Sequence, residues 1–220
     1  MSPPAPTSEQ PQPRGGRPRD PGIDRAVLDA TVELLREQGY GGLTIAAVAE
    51  RAGTTKPAVY RRWRTAQRLA IDALAEAVDG REPRDTGCTI CDLAGALKLH
   101  AAAVRRVPPR VLAPLLADCA GDPELYDALM RALFEPPRRA VAAILERAIA
   151  RGDLRADVDR RLVVDHLGAL VHYRALFGHA PTSDREIERA VHLLLRGIAT
   201  DYARLLAATE HDHAAPAPAR

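Results

Sequence analysis

Aromatic side chains are scarce in this chain, at 4% of 220 residues. That argues against a large stacking pocket for a planar ligand. Cysteine is scarcer still, with Cys88, Cys91 and Cys119 an odd number that argues against a disulfide framework. Cys88 and Cys91 have CxxC spacing, but no second CxxC or paired histidines complete four zinc ligands. They read as buried or half-buried thiols in preference to a redox or metal pair. No apolar run approaches the roughly 18 residues of a membrane span. The start, MSPPAPTSEQPQPRGGRPRDPG, holds no apolar signal-peptide segment, so a cytoplasmic protein without membrane contact is expected. There is no HExxH, GxGxxG, P-loop or Ser/His/Asp ordering. No catalytic residue, cofactor or metal site is called for, and His211 and His213 lie in a tail with no fold to support them.

Strand-like alternation never exceeds four residues, which leaves an all-α fold. Hydrophobic residues at 46% and charged ones at 27% suit a folded chain with a sizeable core. The net charge of +2 hides an asymmetry. Residues 1–70 hold 11 Lys and Arg against 7 Asp and Glu, a net +4, and residues 71–220 hold 20 against 22, a net −2. A basic head on a near-neutral body suits a phosphate-rich partner.

The stretch Leu43–Trp63 concentrates that charge. Thr44 can cap a helix whose apolar stripe is Ile45, Val48, Ala49 and Ala52. Gly53 permits the left-handed backbone of a turn. Thr55 can cap a second helix with Pro57 in its first turn, and Val59 and Trp63 would anchor that helix inward. Lys56, Tyr60, Arg61 and Arg62 then face outward, with Arg64 and Arg68 just beyond. From Arg51 to Arg68 there are six basic residues and no acid. A basic second helix after a glycine turn is the form of a helix-turn-helix that enters a DNA major groove; the alternative is a solvated basic face on a helical hairpin.

Around this stretch the expected organisation has four parts. Residues 1–22, with seven prolines, form a disordered basic arm whose Arg14, Arg17 and Arg19 could reach a minor groove. Residues 23–68 form the DNA-binding domain, with a first helix from Asp24 to Gly39. Residues 69–208 form a helical body for ligand binding and dimerisation, and 209–220 a disordered tail. Thr65 caps a fourth helix, and a loop spans Gly80 to Gly87. A fifth helix runs from about Thr89 to Arg106, and a shorter one from Pro109 to Cys119. Asp122-Pro123 opens a pattern that meets Pro136-Pro137 as one kinked helix or two abutting ones. Asp159 to Phe177 is closed by Gly178, and the last helix runs unbroken from Ile187 to about Ala208.

The motif residues Thr44-Ile45, Val48-Ala49, Ala52-Gly53 and Lys56 through Trp63 resemble those of the TetR family of bacterial transcriptional regulators. The resemblance is specific over about residues 17–74 and general beyond. It implies a homodimer that binds a palindromic double-stranded DNA operator and leaves it when a small-molecule effector enters the body. Carried over by position, Thr44, Thr55, Lys56, Pro57, Tyr60 and Arg61 face DNA, with Tyr60 on phosphate. Arg62, Arg17 and Arg19 are further DNA candidates. Trp63 stands where phenylalanine is common. Ala66 replaces a frequent phosphate-binding lysine, which leaves Gln67 or Arg68 as substitutes. The effector candidates are His100, Tyr126, Met130, Phe134, His166 and Tyr173, with His172 and Phe177 also large or polar, and the effector itself is expected to be moderately apolar. The dimer face is expected from the last two helices, through Val163, Val164, Leu167, Leu170, Val171, Leu176, Val191, Leu194, Leu195 and Ile198. A DNA-binding protein without sequence preference or effector is the competing expectation.

Overall fold

A computed structural model describes residues 21–78 and 83–214, with the side chains of residues 21 and 210–214 left undescribed. The arm with Arg14, Arg17 and Arg19, and the start of the loop after the fourth helix, lie outside these residues. The described residues are helical throughout, and their one β feature is an isolated antiparallel bridge between Leu154 and Ala199. Among them no helix is long and apolar enough to cross a membrane.

The order is α1 (Pro21–Gln38), a 3-10 turn (Tyr40–Gly42), α2 (Ile45–Arg51), α3 (Lys56–Tyr60), α4 (Ala66–Val78), α5 (Thr89–Arg106) and α6 (Pro109–Cys119). Then come α7 (Pro123–Leu129), a π-helical turn (Met130–Phe134), α8 (Glu135–Ala150), α9 (Arg160–Phe177), α10 (Asp184–Ile198) and α11 (Tyr202–Ala214). Helix α1 starts at Pro21, so residues 21 and 22 belong to it and not to the arm.

The pattern around Pro136-Pro137 resolves as one helical run with a π turn inside it. Neither proline can donate to the preceding turn, so the ladder is reset there, and the Glu135 N–H reaches the Met130 carbonyl. The expected single last helix is broken. The Thr200 N–H donates to the Asp153 carbonyl at 3.0 Å, and Arg155 N–H donates to Ile198 at 3.1 Å. These bonds take backbone groups that a continuous helix would use itself. Asp201 then accepts from Arg204 N–H and starts α11, which carries helical backbone through Ala214, past the expected boundary at 208.

Cys88 and Cys91 form a disulfide, in place of the two separate thiols expected from the sequence. Cys88 is the N-cap of α5, and one helical turn brings the two Cα atoms to 5.2 Å. Cys119 is free and buried.

Two apolar cores organise the chain. The first joins α1–α4 to α6 and α7, through Val27, Leu35, Val48, Val59, Trp63, Leu69, Leu115 and Leu129. The second joins α5 to α8–α11, through Leu93, Leu97, Ile144, Leu145, Leu167, Ile187 and Leu195. Helix α4 therefore packs into the head, and α6 and α7 close over it. Each core supplies several fully buried large side chains, at about 1.5–3 kcal/mol apiece. That burial offsets the ordering of a head whose second and third helices have only seven and five residues.

Candidate nucleic-acid interface and the cavity behind it

The head positions its outer surface through caps and one turn. The Thr44 hydroxyl accepts from Ala47 N–H at 3.1 Å, and Thr55 accepts from Ala58 N–H at 3.3 Å. Between them Gly53 sits at φ +62°, a conformation a side chain would strain. Val48 and Val59 are buried against each other's helices. Trp63 is 7% exposed and donates its indole N–H to Asp72 on α4 at 3.0 Å. The larger ring at this position thus gains a polar anchor as well as apolar contact. With Ala58, Val59 and Trp63 inward, the opposite face of α3 presents Thr55, Lys56, Pro57, Tyr60 and Arg61 to solvent. Thr44 is exposed beside them, and Tyr60 is 51% exposed.

The six basic residues between Arg51 and Arg68 divide sharply. Arg51 pairs with Glu33 and Glu37 on α1, holding the Glu37 carboxyl below its usual range. Arg68 pairs with Asp72. Arg62 turns inward to pair with Asp24 and donates to the Ala58 carbonyl at 3.2 Å. The sequence placed Arg62 with the outward set, but its guanidinium ties α1 to the end of α3. Lys56, Arg61 and Arg64 are exposed, and among the described residues none of the three has a hydrogen-bond or ion-pair partner. Their charge is available to an anion. Of the two substitutes for the lysine missing at Ala66, Gln67 donates to Asp118 at 2.8 Å and Arg68 is in its ion pair.

Asp118 on α6 also accepts from the Tyr40 hydroxyl at 2.5 Å. Burial pushes the Tyr40 pKa up, and the bond to Asp118 adds to the shift. Asp118 thus binds both the turn before the helix pair and the first turn of α4. Arg106 donates to the Ala77 carbonyl at 3.3 Å, and Arg110 to the Arg36 carbonyl. Four specific bonds thus tie α5 and α6 to the helices of the first core. None of these was recognised in the sequence, because each joins residues at least 29 positions apart.

Behind the head, a cavity of about 110 Å³ lies between α5, the π turn, α8 and α9. Its wall includes His100, Met130, Phe134 and His172 from the expected candidates, together with Arg138 and Asp165. The His100 and His172 ring centroids are 4.8 Å apart, and Phe134 stacks on His172 at 5.0 Å. Burial pushes His100 down to about 4, and His172 adds to that shift. His172 is also pushed down, mainly by burial. A second cleft of about 530 Å³, shared at His100 and Pro137, extends to Ala75 and Val78 on α4. Tyr126, His166 and Tyr173 line neither space; all three are exposed on outer helix faces. His166 and Tyr173 stand on α9, which lines the smaller cavity, but periodicity could not say which face turned inward; Tyr126 stands on α7, which lines neither space. Arg138 and Asp165 were missed. Both are solvent-exposed, as charged residues are expected to be, and only the fold brings them together as an ion pair at the cavity wall.

Residues 27–76 match the family model described as bacterial regulatory proteins, tetR family, and residues 83–194 match the tetracyclin repressor-like C-terminal domain. The chain belongs to the TetR family. It is a helix-turn-helix, DNA-binding transcriptional regulator of a non-enzymatic family. This TetR-family chain is 34% identical over 204 residues to the HTH-type transcriptional regulator AqdR of Rhodococcus erythropolis, covering 90% of this chain and 93% of that one. It is 32% identical over 169 residues to the DNA-binding transcriptional repressor TetR of Mycobacteroides abscessus, covering 76% and 88% respectively. A TetR transcriptional regulator from Agrobacterium tumefaciens shares the fold, with TM-score 0.65, 22% identity and coverage of 84% and 98%.

Proposed function

We propose that this regulator is a cytoplasmic repressor that binds a palindromic operator as a homodimer and leaves it when a small molecule occupies the body. The observation that carries this reading is the outer face of α3, where Lys56, Arg61 and neighbouring Arg64 are unpaired beside exposed Tyr60. Base edges are read by hydrogen bonds and phosphates by charge. Lys56 and Arg61 are assigned to base edges. Tyr60, Thr44, Thr55 and Pro57 are assigned to the backbone, together with Arg17 and Arg19 of the arm. The repressor relative from M. abscessus supports the sign of regulation.

The dimer rests on apolar surface that this chain leaves uncovered. Phe177 is 70% exposed and Leu193 66% exposed, and Leu162 and Tyr173 are exposed with them on α9 and α10. A second copy would cover this face with the same two helices, giving a four-helix interface. Of the ten residues expected to form it from the sequence, Val163, Val164, Leu167, Val171, Val191 and Leu195 are instead core, Leu170, Leu194 and Ile198 are half-buried, and Leu176 is exposed beside Phe177. His166 and Tyr173, expected at the effector site, lie on the outer surface of α9.

The effector acts in this reading through α4. An occupant of the larger cleft touches Ala75 and Val78, and α4 holds the head through Trp63–Asp72 and Gln67–Asp118. It releases DNA to the extent that it favours a body conformation with the wrong head spacing. Selection of bound duplexes from a random pool tests specificity, symmetry and half-site spacing together. The expected product is a palindrome with half-sites about one helical turn apart. Enrichment of no sequence, with one steep salt slope on every duplex, would favour a DNA-binding protein without specificity.

A further inference from the structure

The small cavity has chemistry of its own, and its occupant is assigned on the reading that this space, joined to the larger cleft at His100 and Pro137, is the inner part of the effector site. Its floor and sides are apolar. Its polar groups are two imidazoles and one ion pair, Arg138 with Asp165, which leaves no net charge to recruit an acid or an amine. His172 Nδ1 lies 3.0 Å from the Gly168 carbonyl. A carbonyl can only accept, so Nδ1 carries the hydrogen and Nε2 of the neutral ring is an acceptor. Among the described residues His100 has no hydrogen-bond partner, so its ring still has one donor and one acceptor to offer. Burial keeps both rings uncharged at neutral pH, with Arg138 adding to the effect on His172. Space is also provided. A side chain added at Gly168 would meet nothing within 4 Å, so the glycine leaves that part of the wall open. The volume of about 110 Å³ is near the ~150 Å³ at which an apolar cavity takes a benzene ring.

We propose that this cavity binds a hydroxylated aromatic ring, whose hydroxyl donates to His172 Nε2 and accepts from His100 while the ring packs beside Phe134. A hydroxyl can donate and accept at once, which is what the two neutral imidazoles ask of it. An ether can only accept, and a hydrocarbon does neither. A cationic amine would find the one carboxylate already paired, and a carboxylate would find the one guanidinium already paired. Larger effectors of this class extend past His100 into the second cleft.

Isothermal titration calorimetry of the full chain with phenol, anisole, toluene and benzoate tests the assignment. Phenol is expected to bind about 5-fold tighter than anisole and about 30-fold tighter than toluene, the loss of one and of two net hydrogen bonds. Its affinity should change little between pH 8 and pH 7, because burial holds both imidazoles below their ordinary pKa. His172→Leu should abolish the preference for phenol over anisole, since both can then only accept from His100, while toluene still binds, with thermal unfolding checking the fold. Gly168→Leu should block every ring compound with both histidines intact. Equal binding of phenol, anisole and toluene, no phenol binding, or benzoate binding best and tightening as pH falls would each overturn the proposal. Fluorescence anisotropy on the selected operator separates this from the effector reading. Phenol bound selectively while the duplex stays bound supports the ligand chemistry and shows that filling the small cavity alone, away from Ala75 and Val78, does not release DNA. Release by another compound, with phenol unbound, overturns the chemistry alone.

Discussion

The two cores differ in what they leave uncovered. Over the stretch Arg51–Arg68 the head ties half its cations to carboxylates and leaves Lys56, Arg61 and Arg64 open to solvent. The body, along α9 and α10, leaves apolar side chains open instead, Phe177 and Leu193 foremost. An unpaired cation is stable in water and stays available to a polyanion. Exposed phenyl and isobutyl groups gain by being covered, and the same helices from a second copy would cover them. The head is thus finished toward water and open toward DNA, and the body is open toward an apolar partner, in the proposed dimer a second copy of itself. In the proposed mechanism the second contact sets the distance between two copies of the first.

The largest expected effect lies under the head. Trp63→Ala removes a buried ring and its bond to Asp72, and should cost about 3–5 kcal/mol of stability. Chemical denaturation would read it, and Tyr60→Ala, on the opposite face, should stay within about 0.5 kcal/mol. Similar losses for both would mean that the two faces of α3 are not divided as described. Next comes the body. Leu193→Arg places two like charges in a proposed two-fold interface and should weaken dimerisation by about 2 kcal/mol or more. Sedimentation equilibrium would show a monomer at micromolar concentration, and an unshifted dimer would remove α10 from the interface.

A third pair of variants compares neighbours in the head. Arg61→Ala should lower operator affinity by about 1–3 kcal/mol and leave stability unchanged. Arg62→Ala should do the reverse, since it deprives Asp24 of its partly buried partner and costs stability of about 1–3 kcal/mol. Operator binding and thermal melts on both proteins measure the crossing. If Arg62→Ala weakens binding as much as Arg61→Ala without loss of stability, the inward ion pair does not persist in solution.

The head was the more legible region because its signals are local. A cap joins a hydroxyl to an N–H three residues on, so Thr44, Thr55 and Thr65 could be placed from order alone, as could the turn at Gly53. The same locality gave the starts of α5, α7 and α9. It failed where a distant backbone intervened, as at Ala199, where Asp153 takes the Thr200 N–H. It failed also on α9, which is apolar on both sides. Leu162 and Val163 are adjacent and alike, yet one is exposed and the other buried, and the period does not say which side meets the core. For the cavity, size and polarity found His100, Met130, Phe134 and His172. Arg138 and Asp165 stayed hidden because only the fold brings their charges together. Arg62 shows the same limit in the head, since its partner Asp24 lies far back on α1.

The smallest expected effect asks how much a surface ion pair in the body contributes. Ser183 and Glu186 form a reciprocal capping box at the start of α10, and Arg174 pairs with Glu186 at 2.6 Å. The Arg174 hydrogen bond, with help from Ser183, lowers the Glu186 carboxyl from 4.5 to about 2. A depressed carboxylate stabilises the fold above its unfolded pKa, and that contribution is lost as pH falls through the folded one. Glutamine can still complete the capping box, so Glu186→Gln removes the charge and keeps the cap. The melting temperature of the variant should sit slightly below that of the parent at pH 7, and the gap should close between pH 4.5 and about 2. A gap that persists at the acid end would mean that Glu186 acts through its hydrogen bonds alone. The exposed charge pairs of the body would then contribute little to holding α9 and α10 together, leaving their apolar faces to do so.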